Sequence, residues 1–472
     1  MPDAPDDAQA KARRPDKPPT SRLGRLARLG ALGTKVLPVA FEGARRAFGG
    51  KRTEQEEREA QARLLADAKK TAEAMLATLG EMKGLPLKFG QMASYVDGLA
   101  PPGYEERVQR ALQKLQQKAP PLSPEAAERV VLEDLGAPPS EIFAHWEREP
   151  FAAASIGQVH RAVTRSGEQV AVKVQYPGID KAIENDLKSL AMLEAFASPL
   201  GRKYRTKETV EEIRAVFLSE LDYTREAQNA DAFRRMVADL PDVVVPRVVH
   251  SLSTKRVLVA EYIEGVTYQE FCADASQERR DAAGRAVWTF MFRSLLRHGV
   301  LYADPHPGNY RFLADGRVAF LDFGCVKELP DDVLAGMKRY IRAAMDADWP
   351  AFDRSLVDDL GYDPTHPESW DLYRSYTIEL LQPMTQHAPF RFSPETARET
   401  VAYLVRGHRK IIWKEGERLP NLPPPPKPPP DYTFVNRLQW GLASVMGGLR
   451  AEASYRELTE PWVREGRRPV PG

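Results

Sequence analysis

The residues best suited to chemistry lie in two short runs in the second half of the chain. Residues 304–309 read Asp-Pro-His-Pro-Gly-Asn, and residues 322–324 read Asp-Phe-Gly. An Asp, an Asn after four intervening residues and a later Asp-Phe-Gly are typical of the loops that hold Mg-ATP. In that arrangement Asp304 faces the group to be activated, while Asn309 and Asp322 bind the metal ions. The pattern therefore predicts phosphoryl chemistry with ATP and Mg²⁺ as cofactors.

A hairpin fits between these two runs. Residues 313–318 read Leu-Ala-Asp-Gly-Arg-Val, where an Asp-Gly pair between apolar flanks predicts a tight turn. Either run alone is more typical of an ordinary turn without chemistry. Their order along the chain, with a hairpin between them, favours the interpretation as a functional pair.

The composition of the 472-residue chain bounds its partners and its compartment. It carries 67 basic and 66 acidic residues, and this balance predicts no nucleic-acid partner. Cys272 and Cys325 are its only cysteines, which predicts a reducing, cytoplasmic compartment and excludes a disulfide scaffold. No run of about eighteen uninterrupted apolar residues occurs, so we expect no transmembrane helix.

The first part of the chain is basic. Residues 11–52 hold twelve Lys or Arg residues and two acidic ones. Within 21–50, leucines and valines alternate with arginines in the pattern of a basic amphipathic helix on anionic lipid. This pattern makes 21–50 a candidate for peripheral contact with the inner, cytoplasmic membrane face. A helix packed on its own domain, with a solvated basic face, gives the same pattern.

Periodicity and composition predict an α+β chain in five parts. These are a disordered or basic amphipathic segment at 1–52, a helical extension at 53–125, a strand-containing part at 126–263, a mainly helical part at 264–415, and a Pro-rich linker with a last amphipathic helix at 416–472. Helices are predicted at 124–135, 208–240 and 434–449, and two strands within 151–175.

Lys173 ends a Val-Ala-Val-Lys run, the form that the lysine strand of a kinase fold takes. Its ammonium would contact the α- and β-phosphates and pair with an acid on a helix. The predicted helix 208–240 offers Asp222 and Glu226, which are four residues apart and share a helical face. We select Glu226 as the partner of Lys173.

The phosphate loop should precede this lysine. Residues 152–159 contain Ala153, Ala154, Ser155, Gly157 and Val159, and only the last two fit a glycine-rich loop. Alanine allows fewer backbone conformations than glycine does. We therefore expect this loop to be stiffer than a glycine-rich loop and to alter the pose of the nucleotide.

Two further positions complete the predicted nucleotide site. Glu261 and Ile263 follow a predicted strand, at the place where a hinge backbone would meet adenine.

Two absences disfavour a conventional protein kinase. Tyr302 and Ala303 stand where a His-Arg pair normally precedes the aspartate. After Gly324 the chain reaches a predicted helix start at 330–332 almost at once, without an Ala-Pro-Glu motif. That leaves no room for a segment that docks a peptide substrate.

Taken together, these motifs resemble the UbiB family of atypical kinases, which includes coenzyme Q-linked members. The family's motifs match Lys-x-Gly-Gln at 88–91, the alanine-rich loop at 152–159, Glu-x-Asp at 220–222, Ala-Asp-x-His-Pro-Gly-Asn at 303–309 and Asp-Phe-Gly at 322–324. The resemblance covers residues 53–345. It implies a bilobal protein kinase-like fold, with a small lobe at 126–263 and a mainly helical lobe at 264–415.

The resemblance also implies specific roles. The helical extension would fold over the active site, with Lys88 and Gln91 pointing into the space of a protein substrate and with Glu220 and Asp222 coupled to it. Mg-ATP hydrolysis would be tied to isoprenoid-quinone precursors or lipids at membranes, rather than to protein phosphorylation.

Three functions stay open at this point. The first is a membrane-associated ATPase of this family. The second is a small-molecule phosphotransferase, because choline- and aminoglycoside-type kinases resemble the chain in an Asp-x-His-x-Gly-Asn loop. The third is a nucleotide-gated scaffold or lipid-binding adaptor, in which the ATP state controls the binding of partners.

Overall fold

The structure is a computed structural model that describes residues 122–154, 156–188, 220–396 and 431–472, and the single residues 16, 21, 24, 218, 399 and 429. Several predictions lie outside these residues: the helices of the extension, Lys88, Gln91, Ser155, and nearly all of 21–50 and of the Pro-rich run. The chain divides into two compact units, one formed by 1–90 and 114–186 and the other by 91–113 and 187–472.

The described part of the first unit is a helix on a small antiparallel sheet. Its elements are α1 (Pro124–Leu135), α2 (Pro139–Ile142), β1 (Phe143–Trp146), β2 (Ala152–Ala153), β3 (Gly157–Thr164) and β4 (Gln169–Gln175). The strand β3 pairs with β1, β2 and β4. The predicted helix 124–135 is confirmed: the Ser123 hydroxyl accepts the Ala126 N–H at its start, and Gly136 closes it with φ +79°.

The β3–β4 hairpin follows the expected alternation of its strands. Val170, Val172 and Val174 are buried on one face, and Lys173 lies between them on the other face. Gly167 forms the turn with φ +90°, a backbone conformation that residues with a side chain rarely adopt. The two strands predicted within 151–175 are therefore confirmed.

The second unit is mainly helical. Its helices are α3 (Tyr223–Met236), α4 (Tyr268–Asp274), α5 (Gln277–His298), α6 (Asp331–Met345), α7 (Trp349–Asp358), α8 (Pro367–Thr385), α9 (Tyr432–Leu449) and α10 (Tyr455–Arg464). Its strands are β5 (Val243–Val244), β6 (Val257–Glu261), β7 (Val300–Tyr302), β8 (Tyr310–Phe312), β9 (Val318–Phe320), β10 (Val326–Glu328), β11 (Phe390–Arg391) and β12 (Glu452–Ala453). Short 3₁₀ turns lie at His250–Leu252 and Pro307–Asn309.

Three small sheets join seven of these eight strands. The strand β9 pairs in parallel with β5 and antiparallel with β8, and β7 pairs with β10 and β11 with β12, both antiparallel. The chain is therefore α+β, as predicted. None of the helices within the described ranges combines the length and the apolar composition that a membrane span needs.

The predicted helix 208–240 is confirmed over Tyr223–Met236, but it is interrupted at residues 221–222. The chain leaves the helical conformation at Asp222, which has φ −124° and ψ +93°, and α3 begins only at Tyr223. The Asp222 carboxylate accepts the Thr224 N–H at 3.1 Å, so it caps a new helix instead of continuing an old one. The helix ends at Met236, before the predicted end at residue 240.

An aromatic cluster forms the core beneath the two predicted loops. Phe290 of α5 stacks on Phe320 of β9, with ring centroids 3.6 Å apart. Phe233 of α3 and Tyr302 of β7 meet Phe323 at 5.3 and 5.7 Å. One apolar cluster therefore connects α3, α5, β7 and β9 to the Asp-Phe-Gly segment.

We expect the Phe290→Ala variant to lower the free energy of unfolding by about 3–5 kcal/mol, because it opens a cavity in this cluster. Chemical denaturation of the purified protein would measure the loss. Val357→Ala, which removes a part-exposed side chain from α7, is the control and should change stability by less than about 0.5 kcal/mol. Equal effects of the two substitutions would contradict a central role for the cluster.

Candidate active site

The backbone holds the loop that contains Asp304 against the Asp-Phe-Gly segment. Tyr302 at the end of β7 pairs with Val326 at the start of β10. The Ala303 N–H then donates to the Cys325 carbonyl at 2.9 Å. Because residue 303 immediately precedes Asp304 and residue 325 follows Gly324, this bond fixes the two loops side by side.

The loop 304–309 is closed by hydrogen bonds to its own first residue. The Asp304 carbonyl accepts the His306 N–H at 2.7 Å and the Asn309 side-chain N–H at 3.0 Å. The imidazole of His306 accepts the Gly308 N–H at 2.8 Å. The amide nitrogen of Asn309 is therefore committed to the loop, and its carbonyl oxygen Oδ1 is the atom suited to a cation.

The predicted hairpin connects the two loops. The strands β8 and β9 pair from Tyr310 opposite Phe320 to Phe312 opposite Val318, and Gly316 turns the chain with φ +95°. At its base, the Leu321 N–H donates to the Asn309 carbonyl at 2.9 Å. The hairpin prediction is thus confirmed, and the hairpin brings the residue before Asp322 against Asn309.

The Asp-Phe-Gly segment is anchored from two sides. The Asp322 carboxylate accepts the Gly324 N–H at 2.9 Å, which closes the turn. The Asn229 side chain of α3 donates to the Phe323 carbonyl at 2.9 Å. The Phe323 ring is buried in the aromatic cluster. Sequence reasoning missed Asn229, although it lies three residues after Glu226 and hence on the same face of α3.

Two buried acids approach this segment. A methyl group at position 324 would lie 3.1 Å from Asp322 Oδ1, 3.5 Å from Glu226 Oε2 and 3.8 Å from Glu220 Cγ. Glu220 and Glu226 are 7% and 4% exposed. Carboxylates gathered in a buried place are costly unless cations or hydrogen bonds compensate them.

The charge also affects a neighbouring tyrosine. Burial raises the pKa of Tyr302 well above its ordinary value, and Tyr310 and the acids Asp322, Asp304 and Glu226 add to the rise. The Tyr302 hydroxyl, two residues before Asp304, therefore stays protonated near these carboxylates.

Asp222 takes a local role as the cap of α3. Besides the Thr224 N–H, its carboxylate accepts the Thr224 hydroxyl at 2.6 Å. The predicted coupling of Glu220 and Asp222 to the helical extension involves residues outside the described ranges and stays a prediction.

In the first unit, the predicted phosphate loop and the predicted lysine belong to one hairpin. Val159 lies opposite Lys173 in the β3–β4 ladder. Ala152 and Ala153 pair back onto β3, and the Ala154 N–H donates to the Gly157 carbonyl at 2.7 Å. The alanine run therefore folds back onto β3, the strand that pairs with the lysine-bearing strand β4. The pairing of Lys173 with Glu226 stays a prediction.

The predicted hinge residues lie at the end of β6 in the second unit. The Glu261 N–H donates to the Arg247 carbonyl at 2.9 Å, and Ile263 is half-buried in the segment that follows. Their role toward adenine stays a prediction.

Arg437, which was not predicted from the sequence, reaches the site from α9. Its Nη2 donates to Asp304 Oδ1 at 2.6 Å, and its Nη1 lies 3.6 Å from the Cys325 sulfur. Burial lowers the pKa of Arg437, but the charge of Asp304, and to a lesser degree Cys325 and Glu220, outweigh this and raise it above its ordinary value. Both side chains of the pair are mostly shielded from solvent, at 18% and 23% exposed.

The signal for Arg437 was present in the sequence. Arg437 is the only charged residue of α9, and its neighbours Val435, Leu438 and Leu442 are buried. A single arginine in an apolar helix usually points at a fixed partner, since an unpaired buried charge is costly.

The loops that carry Asp304 and Asp322 lie within a segment that matches a known protein family. Residues 114–355 match the ABC1 atypical kinase-like domain. The chain belongs to this family. The resemblance to UbiB proteins is thereby confirmed, and the fold is kinase-like.

Curated relatives of this ABC1-family chain come from plastids, mitochondria and cyanobacteria. Protein ACTIVITY OF BC1 COMPLEX KINASE 7 of Arabidopsis thaliana, chloroplastic, is 31% identical over 80% of this chain and 52% of its own length. The mitochondrial atypical kinase COQ8B of Danio rerio is 32% identical over 67% and 50%. The uncharacterized protein slr0889 of Synechocystis is 34% identical over 59% and 70%. The chain thus spans about half the length of the first two relatives.

A solved structure shares this kinase-like fold. It is the complex of Rv3197 with erythromycin from Mycobacterium tuberculosis, which is 28% identical to the chain. The TM-score is 0.58, and the match covers 88% of this chain and all of the other.

The donor atoms in this ABC1 domain suit Mg²⁺. The Asn309 carbonyl oxygen and the Asp322 carboxylate are hard oxygen ligands, which Mg²⁺ prefers. Mg²⁺ in nucleotide sites takes one or two such protein ligands and completes its octahedron with phosphate oxygens and water. The residues present therefore fit this cofactor.

We expect Asn229→Ala to lower the rate of ATP turnover by roughly tenfold. The Phe323 carbonyl loses its hydrogen-bond donor, and the orientation of the Asp322 carboxylate is then less fixed. Steady-state kinetics and the Mg²⁺ dependence of the rate would measure the effect. Gln386→Ala is a matched control, because that amide also donates to backbone carbonyls, those of Ala388 and Pro389 at 3.0 Å, away from the site. Equal turnover in both variants would contradict the anchoring role.

Proposed function

We propose that this protein binds Mg-ATP and hydrolyses it in support of isoprenoid-quinone or lipid metabolism at a membrane surface. The observation that carries the proposal is the backbone coupling of the two loops. Asp304, Asn309 and Asp322 lie on segments tied by the bonds from Ala303 to Cys325 and from Leu321 to Asn309. Such fixed placement is what phosphoryl transfer requires, because its catalysis consists mostly of positioning and charge stabilisation.

In this proposal Asn309 and Asp322 hold Mg²⁺, which neutralises charge on the phosphates. Asp304 orients the attacking water through its carboxylate. Lys173 contacts the α- and β-phosphates and pairs with Glu226.

The remaining roles concern the nucleotide and the extension. The predicted phosphate loop, with Ala153, Ala154, Ser155, Gly157 and Val159, covers the phosphates, and Glu261 and Ile263 meet adenine. Lys88, Gln91, Glu220 and Asp222 form the part that closes over the site, as the UbiB resemblance implies.

The segment after Gly324 supports hydrolysis over protein phosphorylation. Cys325 receives the Ala303 bond, β10 pairs with β7 through residue 328, and α6 begins at Asp331. These residues are all committed to the fold of the second unit. Protein kinases carry a longer segment at this place, which docks the peptide substrate. Between Gly324 and α6 this chain has too few residues to form such a segment.

The lipid and quinone part of the proposal comes from two sources. The UbiB resemblance implies it, and the relatives include mitochondrial proteins named COQ8B and coq-8. The basic segment 21–50 is our candidate for contact with anionic lipid.

A second candidate is phosphoryl transfer to a small molecule. The solved structure with this fold is a complex with the small molecule erythromycin. In this case Asp304 would orient a substrate hydroxyl in place of water, with the same metal residues.

The test is phosphate release from Mg-ATP by the purified protein, with and without anionic liposomes that carry a quinone precursor. We expect hydrolysis that rises with liposomes and falls by about 10²-fold or more in Asp322→Asn, because a metal ligand is lost. Asp315→Asn is the matched control, since Asp315 lies at the exposed tip of the β8–β9 hairpin, where its carboxylate accepts from the backbone and side chain of Arg317.

The products decide between the candidates. Phosphate that appears on an added small molecule instead of in solution would favour the transferase. Tight ATP binding without turnover under any condition would overturn both and leave a nucleotide-gated scaffold.

A further inference from the structure

The partner of Asp304 comes from a helix far along the chain. Arg437 lies on α9 and places Nη2 at 2.6 Å from Asp304 Oδ1. The same guanidinium reaches the Cys325 sulfur with Nη1 at 3.6 Å. A single planar group thus touches the residue proposed to orient the attacking water and the residue that follows the Asp-Phe-Gly segment.

This contact gives Asp304 a cation that its own loop does not supply. Ala303 stands where kinase loops usually carry an arginine, and its N–H is bound to the Cys325 carbonyl. The guanidinium of Arg437 is always charged and donates from a rigid planar fork. A charge-assisted bond of 2.6 Å restricts the rotation of the carboxylate more strongly than a neutral bond would.

Three contacts along α9 fix the position of Arg437. At the start of the helix, Lys327 of β10 pairs with Asp431 at 2.9 Å. In the middle, a methyl group at position 441 would come 2.6 Å from the Pro305 ring, so only glycine allows this approach. Near the end, the Tyr268 hydroxyl of α4 donates to the Val445 carbonyl at 2.7 Å.

Gly441 follows Arg437 by one helical turn, so both lie on the same face of α9. One contacts Pro305 and the other Asp304, which are neighbours in the loop. The loop therefore contacts one short stretch of α9 in two ways, through the Pro305 ring and through the Asp304 carboxylate.

We propose that Arg437 is a positioning residue of this active site, which orients the Asp304 carboxylate and makes turnover depend on the docking of α9. The inference rests on the proposed function, because it assigns Arg437 a role in the same reaction. It adds a residue and an element outside the matched domain 114–355. Arg437 acts through Asp304 and is not assigned a contact with ATP.

The first test compares Arg437→Met and Arg437→Lys in full-length protein, with ATP hydrolysis at saturating Mg²⁺ as the readout. We expect the kcat of Arg437→Met to fall by about 10²-fold, because small misplacements of a reacting group have effects of this size. The KM for ATP should change by less than about threefold, since the nucleotide contacts remain. Arg437→Lys keeps the charge without the planar fork and should recover part of the loss.

Arg374→Met is the matched control. Arg374 of α8 forms an ion pair of the same length with Asp353 of α7, at 2.6 Å, and neither residue lies in the site. Its kcat should equal that of the unaltered protein. Thermal unfolding of all variants would separate loss of turnover from loss of folded protein.

Two further variants keep the inference testable if Arg437→Met folds poorly. Gly441→Ala should lower kcat with Arg437 intact, because the methyl group pushes α9 from Pro305, whereas Gly466→Ala, with open space around it, should not. Turnover of Arg437→Ala should rise on addition of guanidinium ions at concentrations well below those that unfold the protein.

The outcomes distinguish the inference from the proposed function. An unaltered protein that hydrolyses ATP, with an Arg437→Met variant of equal kcat, would overturn the inference alone. A drop in kcat that neither lysine nor guanidinium relieves would also overturn it, since that pattern indicates a general structural loss. An unaltered protein without turnover would overturn the proposed function and, with it, the inference.

Discussion

The hydrogen bond from the Ala303 N–H to the Cys325 carbonyl is the constraint on which the candidate site depends. It extends the β7–β10 pairing by one step, at the point where each strand gives way to a loop. Strand pairing sets a register, and a register sets which loop residues lie side by side. Asp304 and the Asp-Phe-Gly segment therefore owe their proximity to backbone geometry, which holds whatever side chains the loops carry.

The charges of the site follow from this backbone frame. Side-chain atoms of Glu220, Glu226 and Asp322 all lie within 4 Å of the position that a methyl group on Gly324 would take, and Glu220 and Glu226 are buried. Buried carboxylates need compensation from cations or fixed donors. Within the second unit Arg437 supplies one such cation at Asp304. In the proposed function, Mg²⁺ bound by Asn309 and Asp322 adds further positive charge to this part of the site.

Local features of this fold could be predicted because local chemistry determines them. The residues that begin and end α1, Ser123 and Gly136, directly flank the helix in the sequence. The β8–β9 hairpin likewise contains the Asp-Gly pair that forms its turn. The predicted helix 208–240 is helical over Tyr223–Met236 but is interrupted at Asp222, because periodicity does not show that an aspartate side chain can replace a helical hydrogen bond.

The contact of Arg437 with Asp304 could not be predicted in the same way, since 133 residues separate the partners. A pattern within one helix shows that an arginine interrupts an apolar face, but not which acid it meets. That choice is made by tertiary packing, in which Gly441 fits against Pro305 and Lys327 pairs with Asp431. The motifs of a kinase-like site are thus readable in sequence, whereas the element that orients its central carboxylate becomes visible only in the folded chain.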